Sequence, residues 1–394
     1  MLPSYYEFYN PTKIISGFRA LENLPYELKM LHAKKPLLIT DQGIIKAGLL
    51  KNIKKSFNES NITFILFDKV PQDSSHTTVR NLSEIYKSTE CDSIIAIGGG
   101  SVIDTAKALN ILITENADNL LQFEGSDILT KPMKPLIVIP TTVGTGSEVT
   151  GVAVIRDIQR NAKVSFASQF LAPKVAVLDP RMSITLPKQI IASTGMDALT
   201  HAIESYICLQ KNPVSDAFAW AAIKLISQNL INAIKNPKSK EYRFSLANAA
   251  CLAGIGLSNS IAGIVHSLGH AVGGLCGVPH GVAMSIFLPY GLEYNYDKVK
   301  EYIAELLLPL AGPEVYVDTT SGNRAHATIK FIRELRSELN KLTELPLTLS
   351  EAGVPRDKLK EIARIAIDDG SVAFNPVELE YEDALKILQL AYSF

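Results

Sequence analysis

Residues 93–109 read SIIAIGGGSVIDTAKAL, and this stretch decides the fold class of the chain. The apolar run Ser93–Ile97 predicts a buried strand, and the segment after the glycines has the periodicity of a helix. A strand, a glycine turn and a helix in this order are typical of α/β sheets with parallel strands. Glycines let a pyrophosphate approach the backbone, and a helix N-terminus offers free N–H groups. The turn matches no standard nucleotide fingerprint, however, so it could equally serve only to reverse the chain.

Other short apolar runs that end in Asp, Gly or Pro extend this pattern in both directions. They predict further strands over Pro36–Asp41, Ile62–Phe67, Leu136–Ile139 and Val175–Leu178. Amphipathic segments between the early runs predict helices over Ala47–Phe57 and Thr78–Lys87. Strands that alternate with helices predict a parallel sheet, which binds ligands at the carboxyl ends of its strands.

The pattern changes after Pro187, where strand-like alternation nearly disappears. Helical periodicity predicts helices over Lys188–Leu209, Val214–Lys235, Arg243–Leu257, Ile261–Val272 and Asp297–Leu310. The stretch Gly312–Arg324, which contains Pro, Gly, Thr and Ser, is typical of a surface loop. We therefore expect an α/β domain over residues 1–184 and an all-helical domain over residues 185–394.

The composition is that of a globular protein and excludes several other classes. The 394 residues are 47% hydrophobic and 20% charged, which is far from the disordered regime. With 39 basic and 40 acidic residues, the net charge of -1 gives no reason to expect nucleic acid or an anionic membrane surface as a partner. No run approaches the ~18 apolar residues that a membrane span needs.

The cysteines and the N-terminus favour a cytoplasmic location. Cys91, Cys208, Cys251 and Cys276 are scattered and form no C-x-x-C pair, so we expect reduced thiols. The N-terminal stretch MLPSYYEFYNPTKIISG has no basic region followed by an apolar one, so we expect no signal peptide.

Two further features could contribute to a coenzyme site. The loop Pro140–Thr150 reads PTTVGTGSEVT, and its hydroxyls and open backbone can bind phosphate and ribose oxygens. A plain polar loop would have the same composition. Asp41, at the end of a predicted strand, can accept hydrogen bonds from an adenosine ribose and repel a 2′-phosphate, which favours NAD over NADP. A lone Asp after a strand is otherwise a turn residue.

Four of the seven histidines lie between residues 201 and 280 and indicate a metal site. Asp197 and His201 have the i,i+4 spacing that places both on one helix face, and so do His266 and His270. His280 follows in what we interpret as a turn. One carboxylate with several neutral imidazoles suits a borderline divalent ion such as Fe²⁺ or Zn²⁺. Core histidines with satisfied hydrogen bonds are the alternative, and spacing alone does not say which of His266 and His270 is the ligand.

A set of motifs resembles the iron-containing (group III) alcohol dehydrogenase family. The motifs are Gly98–Ser101, PTTVGTGSE over Pro140–Glu148, GMDALTHAIE over Gly195–Glu204, and the pair His266 and His270 followed by GVPHG. Their order matches that of the family, and the resemblance covers essentially the whole chain. It implies a dehydroquinate synthase-like fold, with a Rossmann-like dinucleotide-binding domain over residues 1–184, an all-helical metal-binding domain over residues 185–394, and a cleft between them.

The resemblance also implies roles for individual residues. The implied metal ligands are Asp197, His201, His266 and His280. The implied coenzyme contacts are Asp41, Gly98, Gly99, Gly100, Ser101, Thr141, Thr142 and Thr145. Lys163 resembles a lysine near the nicotinamide ribose, and His270 matches a position near the substrate, on the proton path. Many members have Asn-Pro-Thr where this chain has Asp73-Ser74-Ser75, and Asp73 remains a candidate for contact with an adenosine hydroxyl.

The function that follows is hydride transfer between an alcohol and a nicotinamide coenzyme. We expect an NAD-dependent oxidoreductase that interconverts a primary alcohol or diol and its aldehyde, with Fe²⁺, Zn²⁺ or another divalent metal. A glycerol or polyol dehydrogenase, a hydroxyacid–oxoacid transhydrogenase and a non-catalytic nucleotide- or metal-binding protein are the alternatives. The complete ligand set argues against the maleylacetate reductases, which lack it. The resemblance further implies a homodimer or larger assembly.

Overall fold

The computed structural model describes residues 3–160 and 162–393, so Met1, Leu2, Asn161 and Phe394 lie outside the described residues. The strands are β1 Lys13–Ser16, β2 Pro36–Ile39, β3 Ile65–Phe67, β4 Ser93–Gly98, β5 Gly125–Ser126, β6 Leu136–Pro140, β7 Val152–Asp157, β8 Ala162–Ala167 and β9 Val175–Leu178. The helices of the first half are α1 Leu24–Met30, α2 Gln42–Lys46, α3 Leu50–Glu59, α4 His76–Ser88 and α5 Gly100–Glu115. The later helices are α6 Lys188–Ile207, α7 Pro213–Lys235, α8 Lys240–Ser258, α9 Ile264–Cys276, α10 His280–Tyr294, α11 Tyr296–Glu305, α12 Leu307–Ala311, α13 Pro313–Asp318, α14 Arg324–Thr343, α15 Leu359–Ile367 and α16 Tyr381–Leu390.

Six strands form the main sheet in the order β1-β9-β6-β4-β2-β3, and all neighbouring pairs are parallel. The predicted α/β fold with a parallel sheet is therefore confirmed. Strands β2, β4, β6 and β9 are buried along their whole length, because an apolar core covers each face of the sheet. Strands β4 and β6 end side by side, with Gly98 opposite Pro140. The loops that follow these two strands therefore start from adjacent positions at the carboxyl edge of the sheet.

A second sheet, which the sequence did not predict, has the strand order β5-β8-β7, and β7 and β8 form an antiparallel hairpin. Every second side chain of β7 is only half-buried or exposed, but the strand begins with the apolar run Val152–Ile155, which was an available signal for a strand. Strand β1 lies at the edge of the main sheet and is largely exposed, so burial leaves little pattern in its sequence.

The second half of the chain is helical, as predicted, but two local predictions are wrong. The stretch Gly312–Arg324 is not a plain loop, because it contains α13, with Pro313 in its first turn. Helix α13 buries none of its residues, so no apolar periodicity marks it in the sequence. His280 does not lie on a turn, because it is the first residue of α10 after the N-cap Pro279.

The described chain divides into two compact units. We call them the α/β unit, which comprises Tyr9–Leu186 and Ser239–Cys251, and the helical unit, which comprises Pro187–Lys238, the described residues before Tyr9 and those from Leu252 onward. Helix α8 therefore begins in one unit and ends in the other. The assignment of dinucleotide binding to residues 1–184 and of metal binding to residues 185–394 stays a prediction. None of the helices in the described ranges is long and apolar enough to cross a membrane.

Candidate coenzyme and metal sites

The glycine turn begins at the end of a buried strand. Strand β4 ends at Gly98, Gly99 is the N-cap of α5, and α5 runs for 16 residues from Gly100. A Cβ atom on Gly98 would lie 2.5 Å from Cγ2 of Val102, so a side chain there would collide with the helix. The close approach of strand and helix therefore requires glycine. It places the N-terminal N–H groups of α5, with the positive end of the helix dipole, at the carboxyl edge of the sheet.

The threonine-rich loop packs directly on this turn. Thr141 donates its backbone N–H to the carbonyl of Gly98 over 3.0 Å. A Cβ atom on Gly99 would lie 2.9 Å from the methyl carbon of Thr142, and one on Gly100 would lie 3.1 Å from that of Thr145. The structure thus brings these predicted coenzyme contacts together with Ser101, the second residue of α5. Backbone N–H groups, hydroxyls and a helix N-terminus at one edge are what a pyrophosphate needs.

The remaining candidate coenzyme residues lie on two other loops and on strand β8. Asp41 follows β2 and caps α2, where its Oδ1 accepts the N–H of Ile44 over 3.0 Å. Asp73 has a left-handed backbone conformation, with φ 49°, and its Oδ1 accepts from Nζ of Lys163 over 2.9 Å. This ion pair is exposed, since 50% of the Asp73 side chain and 36% of the Lys163 side chain are accessible. Both charged groups can therefore rearrange around a ligand.

A buried lysine that was not predicted from the sequence attaches the threonine-rich loop to α5. Lys107 is fully buried, and its Nζ donates to the carbonyls of Thr150 and Val152 over 2.8 and 2.7 Å. It also donates to the hydroxyl of Ser147 over 3.0 Å. Burial lowers the pKa of Lys107 to about 8, although the nearby carboxylates oppose this shift. These hydrogen bonds connect the middle of α5 to residues 147–152.

Asp104 completes this buried network from the preceding turn of α5. Its Oδ1 accepts from the Ser147 hydroxyl over 2.7 Å, and its Oδ2 accepts from the N–H of Val154 over 3.2 Å. Glu148 is also buried in this region, and burial raises its pKa to about 7. The available signal was the i,i+3 spacing of Asp104 and Lys107 in a largely apolar part of the helix, because buried charges occur in pairs.

The four predicted metal ligands meet in the helical unit. Asp197 and His201 lie one turn apart on α6, His266 lies on α9, and His280 begins α10. One potential ligand atom from each side chain lies within 4.8 Å of the others. Nε2 of His280 and Nε2 of His201 lie 3.3 and 3.6 Å from Oδ1 of Asp197. Converging oxygen and nitrogen atoms at such separations are compatible with one cation that binds each ligand at about 2.0–2.2 Å.

Buried polar atoms show that this cluster suits a cation. Oδ1 of Asp197 and Nε2 of His266 are buried without a hydrogen bond to any residue that the structure describes. Such atoms are costly in a protein interior unless they bind a ligand. Burial raises the pKa of Asp197, but electrostatic interactions with His201 and His280 outweigh burial and hold this pKa below its ordinary value. Burial also lowers the pKa of His266 well below its ordinary value, so the donor set combines a carboxylate with neutral imidazole, as Fe²⁺ or Zn²⁺ requires.

His270 lies one turn after His266 on α9 but has a different partner. Its Nδ1 lies 2.8 Å from Oδ2 of Asp369, and its ring stacks on that of His280 with centroids 5.3 Å apart. The side chain of His270 is 39% accessible, whereas that of His266 is 4% accessible. The structure thus places His266 within the cluster of potential ligands and His270 beside it.

Glu204 belongs to a motif quoted from the sequence, but no role was predicted for it. It lies on α6, three residues after His201, and therefore shares the face that carries the metal cluster. Its Oε2 is hydrogen-bonded to Nδ1 of His266, and its Oε1 accepts the N–H of Val265 over 2.8 Å. Burial raises the pKa of Glu204 to about 7, although nearby backbone N–H groups stabilise the carboxylate and oppose this shift.

Comparison with known protein families identifies the family of the chain. A family model described as iron-containing alcohol dehydrogenase matches residues 11–180. A second model, for the C-terminal part of the Fe-containing alcohol dehydrogenase family, matches residues 191–392. The chain belongs to the iron-containing alcohol dehydrogenase family.

Relatives within the iron-containing alcohol dehydrogenase family align along almost the whole chain. The NAD-dependent methanol dehydrogenase of Bacillus methanolicus is 34% identical over 98% of this chain and 99% of its own. The 1,3-propanediol dehydrogenase of Citrobacter freundii is 33% identical over 98% of this chain and 99% of its own. A crystal structure of a 1,3-propanediol oxidoreductase superposes with a TM-score of 0.94 at 31% identity, covering 98% of this chain and 100% of that chain. The predicted family, fold and enzyme class are confirmed, so the protein is a nicotinamide-dependent alcohol dehydrogenase that interconverts an alcohol and its aldehyde.

Proposed function

We propose that this enzyme uses NAD and one divalent cation, natively Fe²⁺, to interconvert a short primary alcohol or diol and its aldehyde. The observation that carries the proposal is the convergence of Asp197, His201, His266 and His280, whose potential ligand atoms lie within 4.8 Å of one another. The names of two relatives support the substrate class, since methanol and 1,3-propanediol are both short primary alcohols.

The four side chains would hold the cation with one carboxylate oxygen and three imidazole nitrogens. When bound, the cation supplies Lewis acidity, which lowers the pKa of an alcohol and polarises the carbonyl of an aldehyde. This donor set suits Fe²⁺ and Zn²⁺ alike, and the family supports Fe²⁺. All four side chains project from helices, so packing of α6, α9 and α10 holds them in place before the cation arrives.

The coenzyme would bind at the carboxyl edge of the main sheet. The N-terminus of α5 attracts the pyrophosphate, and the hydroxyls of the threonine-rich loop donate to its oxygens. Asp41 would accept from the adenosine ribose and repel a 2′-phosphate, which favours NAD over NADP. The exposed pair of Asp73 and Lys163 would separate to bind an adenosine hydroxyl and the nicotinamide ribose. The proposal thus assigns coenzyme binding to the predicted domain of residues 1–184 and metal binding to that of residues 185–394.

His270 would accept the proton that alcohol oxidation releases. The reaction transfers a hydride from the carbinol carbon to the coenzyme and leaves the hydroxyl proton to be removed. Nδ1 of His270 donates to Asp369, so Nε2 has the lone pair that accepts this proton. The negative charge of Asp369 then stabilises the imidazolium that forms, and the exposed side chain can pass the proton to water.

The proposal is tested on protein purified without air, with its metal content determined by elemental analysis. NADH oxidation is followed by absorbance with a panel of short aldehydes. We expect His266→Ala to lose both the metal and turnover, because it removes one of four ligands. His326→Ala is the matched control, since His326 is exposed and is hydrogen-bonded to Tyr296 on another part of the helical unit. Full metal content and full turnover in His266→Ala would refute the assignment.

The same assays separate the alternative functions. Conversion of an alcohol and an aldehyde pair without added NAD would indicate a hydroxyacid–oxoacid transhydrogenase that recycles bound coenzyme. A preference for glycerol over short primary alcohols would indicate a polyol dehydrogenase. Faster turnover with NADPH than with NADH would contradict the role of Asp41.

A homodimer or larger assembly and a cytoplasmic location are further parts of the proposal. The resemblance to the family supports the assembly, and the scattered cysteines support the location. Small alcohols and aldehydes are the proposed partners, because the balanced charge of the chain offers no general attraction for nucleic acid.

A further inference from the structure

We propose that Glu204 is a positioning residue that sets which ring nitrogen of His266 is free to bind the metal. The proposal deepens the proposed function and rests on its metal site. A neutral imidazole has a hydrogen on one nitrogen and a lone pair on the other, and only the lone pair binds a cation. Nδ1 of His266 is hydrogen-bonded to Glu204, so Nε2 is the nitrogen left for the cluster.

Backbone groups at the start of α9 hold the Glu204 carboxylate in one orientation. Its Oε1 accepts the N–H of Val265 over 2.8 Å, and the N–H of Gly263 also donates to the carboxylate. A Cβ atom on Gly263 would lie 3.0 Å from Oε1, so the carboxylate packs tightly against the chain at this glycine. With Oε1 held by fixed backbone donors, Oε2 is the oxygen that is presented to His266.

This orientation decides the protonation of the imidazole. When it is ionised, the carboxylate can only accept hydrogen bonds, so the partner nitrogen Nδ1 then carries the hydrogen. The lone pair then lies on Nε2, which is buried and makes no hydrogen bond within the described ranges. A carboxylate behind a metal-binding histidine fixes the tautomer and makes the ligand nitrogen more basic. Glu204 would therefore act on the cation through His266 without touching it.

Glu204→Gln is the sharpest test, because the side chain keeps its shape while one acceptor becomes a donor. The amide oxygen remains with the N–H of Val265, so the amide NH₂ group faces Nδ1 of His266. Nδ1 must then accept a hydrogen bond, and the ring hydrogen moves to Nε2, where it blocks metal binding. We expect the affinity for Zn²⁺ to fall about 10- to 100-fold, measured by competition with a chromophoric chelator.

Asp369→Asn is the matched control, because Asp369 contacts another histidine of α9, the helix that carries His266. Asp369 is hydrogen-bonded to Nδ1 of His270 in the same manner, but His270 lies outside the group of four converging side chains. We expect Asp369→Asn to bind Zn²⁺ as tightly as the unmodified enzyme. Equal losses in the two variants would contradict the proposal, because general loosening of α9 would then explain both.

The nitrogen-15 chemical shifts of histidine report the tautomer directly in metal-free protein, measured at a pH at which Glu204 is ionised. We expect Nδ1 of His266 to carry the hydrogen in the unmodified enzyme and Nε2 to carry it in Glu204→Gln, a change that a purely structural role would not cause. An unmodified enzyme with the hydrogen on Nε2 would overturn the proposal even if the variant failed to fold. Tight Zn²⁺ binding by Glu204→Gln would overturn the role of Glu204 alone, whereas no Zn²⁺ binding by the unmodified enzyme would overturn the metal site as well.

Discussion

At the residue scale, Gly281 determines how closely two helices of the metal cluster approach each other. A Cβ atom on Gly281 would lie 2.3 Å from the carbonyl oxygen of Ser193. Ser193 lies one turn before Asp197 on α6, and Gly281 directly follows His280 on α10. The missing side chain therefore allows the backbones to approach until His280 reaches Asp197.

We expect Gly281→Ala to push α10 away from α6, because a backbone carbonyl cannot rotate away as a flexible side chain can. Overpacking of this kind costs about 1–3 kcal/mol of stability. The displacement also moves His280 from Asp197, so metal affinity falls with stability. Thermal unfolding and Zn²⁺ competition measure the two effects.

Gly274→Ala provides the comparison on α9. No atom lies within 4 Å of a Cβ built on Gly274, so a methyl group fits there. Alanine in a helix is favoured over glycine by roughly 0.5–1 kcal/mol, so this variant is expected to be at least as stable as the unmodified enzyme. If Gly281→Ala behaved like Gly274→Ala, the backbone contact would have no effect on the cluster.

Single residues also show where prediction from sequence stops. The spacing of Asp197 and His201 was sufficient to place both on one face of α6. His266 and His270 have that same spacing, and only the partners of their Nδ1 atoms distinguish them, since Glu204 is 62 and Asp369 is 99 residues away along the chain. Such long-range hydrogen bonds leave no local pattern in the sequence.

At the element scale, Lys107 connects α5 to the loop that follows β6. Its ammonium group is fully buried and donates to Ser147, Thr150 and Val152. Because the glycine turn and the threonine-rich loop both begin at the carboxyl edge, this connection keeps the two halves of the proposed coenzyme site in register. The N-terminus of α5 and the threonine hydroxyls are therefore held together before NAD binds.

We expect Lys107→Met to lower the free energy of unfolding by about 3 kcal/mol, because it removes the positive charge that stabilises the partly buried carboxylate of Asp104. The loosened loop is also expected to raise the dissociation constant for NADH. Chemical denaturation and fluorescence titration with NADH measure the two effects.

Lys55→Met on α3 serves as the comparison for Lys107→Met. The ammonium group of Lys55 lies 3.8 Å from Glu59, and 74% of the Lys55 side chain is accessible. Exposed pairs of this kind contribute about 0–1 kcal/mol, so little change is expected in stability or NADH binding. Unchanged NADH binding in Lys107→Met would contradict the proposed role in holding the loop.

Whole elements were predicted well where burial produces a clear pattern. Strands β2, β4, β6 and β9 are continuous apolar runs, and the long helices of the second half carry an apolar periodicity. Helix α13 was missed because it buries none of its residues, so no apolar periodicity marks it. Strand β7 was missed although its apolar run Val152–Ile155 was available as a signal. The network of Lys107 was missed because its loop partners lie 40 or more residues away.

At the scale of the whole molecule, buried acids make stability depend on pH. Burial raises the pKa of Glu148 from an ordinary 4.5 to about 7. At a pH between these two pKa values, Glu148 is protonated in the folded protein and ionised in the unfolded chain. The stabilising contribution of Glu148 is therefore complete below about pH 4.5 and is lost as the pH rises through about 7.

We expect the thermal midpoint of metal-free protein to fall as the pH rises from below to above the pKa of Glu148. Glu148→Gln carries a neutral side chain at every pH, so its midpoint is expected to fall less over the same range. Burial also raises the pKa of Glu204 to about 7, so Glu204 contributes to the fall of the thermal midpoint in both proteins. Parallel curves for the two proteins would show that Glu148 does not hold the extra proton.

The sequence predicted the two-part character of the molecule but not how the chain is shared between the parts. Alternation of strands and helices before Pro187, and helices after it, was sufficient for the fold class. The segment Ser239–Cys251 belongs to the α/β unit although it is helical, and its Arg243 is fully buried. A helix has the same periodicity whichever core it packs against, so periodicity could not assign it.

Helix α8 also limits when the α/β unit can fold during synthesis of the chain. The α/β unit needs Ser239–Cys251 to be complete, and these residues are synthesised after α6 and α7, which belong to the helical unit. The nascent chain must therefore finish two helices of the later unit before the earlier one can close. For the same reason, no single cleavage of the polypeptide yields two fragments that each contain one entire unit.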